Sequence, residues 1–191
     1  MMRKMMLALG LALLPCCSAV QKDVNGADGA SPNQAMRAKG AESMQGKLTD
    51  LDALRGLVGS EKKAFLERYH TAPQHLRTDA AFERLTNLTE LHDPGLSPAR
   101  FYFKDDKLAL IYLEDAAALG SYERAALKAR LGGNGVLLRS RAGKASNLHV
   151  YAEQGVAVSI GEEVEFIQIF APMTQAEYEK TIYQDPGKFV L

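Results

Sequence analysis

The spacing of apolar residues along this chain changes period several times, and each change marks an element. Met5 to Leu14 form an apolar run of ten residues behind Arg3 and Lys4. Residues 21–47 carry almost no large apolar group. A helical stripe then begins. Thr49 and Asp52 have capping-box spacing, with Leu51, Leu54 and Val58 on one face and Gly59 as the stop. Ser60 is placed to cap a second helix carrying Phe65, Leu66 and Tyr69. Ala81, Leu85 and Leu88 recur at helical spacing and predict a third helix from Asp79 to Leu91, ended by Pro94-Gly95.

From there the pattern becomes that of strands. Phe101–Lys104 and Lys107–Glu114 flank Asp105-Asp106 and predict a hairpin. Leu108 to Leu113 is apolar without alternation, as expected of a strand covered on both faces. A helix from Ser121 to Leu131 ends at Gly132-Gly133. Four short strands follow, at Val136–Arg141, Asn147–Ala152, Val156–Ile160 and Val164–Phe170. Their spacing and the turn glycines 143, 155 and 161 predict an antiparallel meander. Thr174 and Glu177 form a capping box for a last helix. Helices with a hairpin, then a helix with a four-stranded meander, define an α+β domain over residues 48–191. The pattern is consistent with internal duplication into 48–115 and 116–191.

The stretches "ALKARLGGNGVLLRS" and "LHVYAEQGVAVSIGEEVEFIQIFAP" carry a resemblance. A helix ending in Leu-Gly and leading into a meander resembles the small envelope α+β family typified by the outer-membrane assembly lipoprotein BamE and the β-lactamase inhibitory protein. The likeness covers about residues 122–172 and, more weakly, 50–115. Gly133-Asn134 stands where a proline is usual in that family. The resemblance implies a non-catalytic binding role with the sheet face as contact surface, and it transfers no functional residue.

The N-terminus bears on location. Residues 1–19 have the basic start, apolar core and small residues of an export signal, and ten helical residues cover about 15 Å, half a bilayer core. Cys16 and Cys17 are the only cysteines. Cleavage after Ala19 would discard both. Alternatively Cys17, with Leu14 at −3 and Cys16 at −1, becomes the lipid-bearing first residue of a bacterial lipoprotein. Cys16 has Pro15 before it and fits worse, and a disulfide between neighbours is strained. The polar segment 20–47 reads as a disordered tether, which favours the lipid anchor. Ser18 after the cysteine points to the outer membrane.

Charge and chemistry narrow the function. Residues 48–191 carry 17 basic and 20 acidic side chains, so nucleic acid is not an expected partner. His70, His75, His92 and His149 have no metal-ligand spacing, and Gly132-Gly133-Asn134-Gly135 follows a helix, unlike a phosphate loop. No cofactor, metal or catalytic residue is assigned. The expected binding face is Arg139, Arg141, Lys144, His149 and Tyr151, alongside Asn147 and Ser159. Period-two alternation places Leu148, Val150, Val156, Val158 and Ile160 on the opposite, core side. Arginine and tyrosine commonly anchor interfaces, and an acidic protein site is the expected ligand. The sequence therefore reads as a periplasm-facing, protein-binding lipoprotein, foremost a toxin-neutralising immunity or inhibitor protein. An assembly or scaffold lipoprotein is the alternative, and a periplasmic cell-wall enzyme the second.

Overall fold

The computed structural model describes residues 44, 46–133, 135–143 and 146–187. The expected signal segment and residues 20–43 of the expected tether lie outside them. The folded part begins before residue 48, because Met44 is helical and fully buried in the core beside Leu48.

The fold is α+β. Beyond the helical turn that holds Met44 and Leu48, the described residues form the short helices α1 (Leu51–Arg55), α2 (Lys62–Arg68), α3 (Arg124–Arg130) and α4 (Gln175–Thr181), which pack on eight antiparallel strands. The strands are β1 (Leu76–Phe82), β2 (Leu85–Leu91), β3 (Ala99–Lys104), β4 (Lys107–Leu113), β5 (Val136–Arg139), β6 (Asn147–Tyr151), β7 (Val156–Ile160) and β8 (Val164–Phe170). Their spatial order is β1-β2-β3-β4-β8-β7-β6-β5. Each half is a four-stranded meander, and the last strand of one pairs antiparallel with the last strand of the other. The halves thus meet head to head across one seam, from Leu110↔Phe170 to Leu113↔Ile167.

This arrangement puts the helices of both halves on one face. Leu51 and Leu54 of α1, Phe65 of α2 and Leu127 of α3 share a core with Phe101, Phe103, Ile111, Val156, Val158, Ile167 and Ile169. The opposite face holds Tyr102, Leu110, Leu148, Val150, Ala157, Phe166 and Phe170, covered by Tyr178 and Ile182 of α4 and its exit. Leu108–Leu113 is accordingly buried on both sides, which explains its unbroken apolar run.

The local chemistry of the turns fits. Asp105 and Asp106 both adopt positive φ, 50° and 62°, the geometry of a tight two-residue hairpin turn. Thr174 and Glu177 form the expected capping box. Gly155 has φ of 69°, and a Cβ there would lie 2.2 Å from the Phe170 carbonyl oxygen, so no other residue fits. Three starts differ. Asp50, whose side chain accepts from the Asp52 N–H, caps α1 instead of Thr49. Ser60 caps nothing, because its carbonyl accepts from Leu108 N–H as the chain pairs briefly with β4. The helix after Ser121 begins only at Arg124.

The helix expected from Asp79 to Leu91 is absent; those residues form most of the β1–β2 hairpin. Helical spacing of Ala81, Leu85 and Leu88 arises because bulges break the strand alternation. Asp79, Glu83 and Asn87 adopt positive φ, and the β1–β2 register shifts on both sides of Ala80. Thr86 and Thr89 favour strand over helix, and burial of Ala80 and Leu88 against the sheet overrides the helical pattern. Among the described residues no helix is long and apolar enough to cross a membrane.

Candidate functional site

Among the described residues, strand β5 stands at one edge of the sheet and pairs with β6 alone, from Val136↔Val150 to Arg139↔Asn147. Among the described residues, the large apolar side chains left exposed are its Val136 and Leu137, at 45% and 55% exposure. Beside them runs a groove of about 320 Å³ lined by Leu131, Gly132, Val136, Tyr151, Gln154 and Gln175, among others. The groove exists because the exit of α3 is pinned to β6. Tyr151 Oη donates to the Gly133 carbonyl at 2.6 Å, and Gln154 Nε2 donates to the Leu131 carbonyl at 2.9 Å. Gly135 lets the chain pass close, since a Cβ there would sit 2.8 Å from the Val150 carbonyl oxygen.

The residues expected to form one binding face are divided. His149 and Tyr151 are buried at 6% and 8% exposure, and burial pushes the Tyr151 phenol pKa up. Tyr151 packs in the helix-covered core with Val156, Val158 and Ile160. The face assignment of β6 is reversed relative to expectation: His149 and Tyr151 oppose Val158 and Val156, while Leu148 and Val150 oppose Ser159 and Ala157. The cause is the loop. Tyr151↔Val156 pairing leaves four connecting residues, 152–155, so residues of opposite parity share a face.

Arg139 and Arg141 remain half-exposed, near the end of the edge strand. Both are engaged within the chain. Arg139 pairs with Asp185 and donates to the Gly187 carbonyl at 3.1 Å. Arg141 donates to Gln184 Oε1 at 3.1 Å and lies 3.7 Å from Glu83, whose side chain is only 3% exposed. Tyr183 Oη donates to the Arg139 carbonyl, so the segment after α4 is laced to this end of β5. Lys144 and Cys17 lie outside the described residues.

Two further groupings escaped sequence reasoning because their members meet only in space. Ser146 and Ser159 donate to the two oxygens of Glu165 at 2.5 and 2.8 Å, and Ser140 bonds to Ser159, tying the β5–β6 loop to β7 and β8. A separate cleft of about 640 Å³ is lined by Tyr122, Glu123, Arg124, Lys128, Glu162 and Glu163, among others. Its charges are mixed, and Arg124 Nη1 there donates to the Gly161 carbonyl at 3.3 Å. Among the described residues no three histidine, cysteine, aspartate or glutamate side chains are grouped to hold a metal ion.

No family model matches the chain, no curated protein matches it in sequence, and no solved structure matches its fold.

The two arginines should separate in their effect on stability. Arg139→Ala removes a pair in which both partners are about half exposed and should cost at most about 1 kcal/mol. Arg141→Ala leaves the buried Glu83 without its cation and should cost more, roughly 1–2 kcal/mol. Urea unfolding of the two variants checks this. Equal, negligible effects would mean that the Arg141–Glu83 contact contributes nothing.

Proposed function

We propose that this protein is a periplasm-facing, lipid-anchored binding protein that neutralises an incoming protein effector. We further propose that it docks its partner along the β5 edge. The observation that carries the reading is the placement of Val136 and Leu137. They are large, exposed and apolar, and they sit on an edge strand beside a groove of mixed polar and apolar lining. An extended partner segment added to β5 would gain main-chain hydrogen bonds and bury these side chains. Arg139 and Arg141, half-exposed near the end of the strand, are held there by Asp185, Gln184 and Glu83, so an acidic flank on the partner would meet them as already paired cations, a contribution to approach more than to hold. The sequence resemblance to a family that includes an enzyme inhibitor supports the same class of action.

The expected sheet-face contact is replaced in this proposal by an edge. Both faces carry large side chains that the chain itself buries, Phe101 and Ile111 on one and Phe166 and Phe170 on the other. A tethered domain needs only one such edge to intercept a protein that enters the periplasm.

Competition against a toxin-secreting sister cell tests the function. Deleting the gene should sensitise the cell, the wild-type chain should restore survival, and Leu137→Asp should fail to restore it while accumulating and melting like wild type. A deletion strain as fit as its parent contradicts the neutralising role. Full rescue by Leu137→Asp contradicts the edge as the docking site. The anchor is tested separately. Cys17→Ser should move the protein from the outer-membrane fraction to the soluble periplasm. Wild-type protein that is soluble from the start, with Val20 as its first residue, contradicts lipidation.

A further inference from the structure

The β1–β2 hairpin belongs to the sheet only at its base. β2 pairs with β3 from Thr89 to Leu91, opposite Phe103 to Phe101, and the rest of the hairpin runs free of β3. Its tip lies instead over the face opposite helices α1–α3. Phe82 sits with ring centroids 5.1 Å from both Tyr102 on β3 and Tyr112 on β4. Next in the chain, Glu83 accepts from Gln168 Nε2 on β8 at 3.2 Å and from the Gln184 N–H at 2.7 Å. The Arg84 N–H donates to the Ile182 carbonyl at 3.2 Å. β8 is three strands from β2, about 14 Å across the sheet, so the tip reaches these partners only by folding over the face.

The point of departure is marked. Asn87 on β2, two residues before Thr89 where pairing to β3 begins, and Asp79 on the facing strand β1 both hold positive φ, 58° and 54°. Aspartate and asparagine tolerate that conformation better than other side chains. The base is anchored by a different network, Arg77 and Arg100 on the buried Glu90, which the tip does not share.

We propose that the β1–β2 hairpin is a hinged cover over the Tyr102–Tyr112–Phe166 face, latched at its tip by Glu83, and that the proton state of Glu83 sets how tightly it closes. The Glu83 carboxylate is almost fully enclosed on closure, and loss of solvent raises its pKa above the ordinary glutamate value, against the opposing pull of the Gln184 N–H, Arg141 and Gln168. The other groups facing it are Tyr112 on β4, Tyr178 on α4 and Tyr183 beyond it. All three phenols are raised by burial, Tyr112 to about 12, so they stay neutral through the range in which Glu83 titrates. Arg84 and Lys180 line the same cavity. The closed form therefore holds the Glu83 proton more tightly than the open form does. Closure is strongest in acid and weakens as pH rises through the closed-state pKa. A neutral Glu83 can be served in place. Gln168 holds the Tyr178 hydroxyl with its other terminus at 2.7 Å, so turning that amide over would present an acceptor to the Glu83 proton and a donor to Tyr178.

Amide hydrogen exchange of the intact purified protein from pH 4 to pH 7.5, corrected for intrinsic rates, tests this. The hairpin amides beyond the hinge should open more readily than those of β3 and β7. Their opening constant should rise with pH by roughly tenfold for each unit separating the closed and open pKa values, then level off. Glu83→Gln should keep the cover closed and remove the pH dependence. Phe82→Ala should raise opening at every pH and leave the pH dependence in place. Hairpin amides that exchange only with the central strands would overturn the hinge. A pH dependence that survives in Glu83→Gln would overturn the latch.

Discussion

The structure depends on the pairing of β4 with β8. Each meander alone is a four-stranded sheet with buried apolar residues on both faces. Joined at Leu110–Leu113 and Ile167–Phe170, the two become one surface on which the helices of both halves share a core. Leu110, Ile111, Leu113, Ile167 and Ile169 are all fully buried. With β4 and β8 paired antiparallel, helices α1, α2 and α3 share one side of the sheet. The other side is left to α4 and to whatever else the chain can fold over it.

That second side explains the less regular parts of the molecule. α4 is seven residues long and covers only part of the face, with Tyr178 stacked on Phe170 and bonded to the buried Gln168. The bulged β1–β2 hairpin covers Tyr102 and Tyr112, and Glu83 joins hairpin, sheet and C-terminal segment at one point. Once both faces are filled, the apolar surface that remains open sits at the β5 edge. A four-residue strand with an arginine at its end is a modest edge, long enough to accept a partner strand and short enough to limit self-association.

Much of this was legible in the sequence. β7 and β8 begin and end where their alternation and flanking glycines place them, and the Asp105-Asp106 turn and the Thr174 capping box follow from local chemistry alone. Wherever tertiary context decides, the pattern misleads. Bulges at Asp79 and Asn87 turned a strand period into a helical one. A four-residue loop at 152–155 inverted the parity of β6, and both faces of the sheet are covered, so His149 and Tyr151 are buried on one face as Leu148 and Val150 are on the other. The candidate site suffered most, since it was read from that parity. Arg139 and Arg141 did emerge at the surface, but their partners Asp185 and Glu83 lie 46 and 58 positions away, a distance no spacing rule spans. The exposed Val136 and Leu137 carried no signal, because an apolar strand residue looks the same at an edge as in a core.

The claim that one seam makes the molecule a single unit is tested most directly by native-state hydrogen exchange of Ile169→Ala. Truncating a fully buried isoleucine on β8 costs about 2–5 kcal/mol. If the halves share one core, the most protected amides of β3, in the first half, should lose the same free energy of opening as those of β7, in the second. A loss confined to β6–β8, with β3 unchanged, would mean that the two meanders are separately stable and only rest against each other.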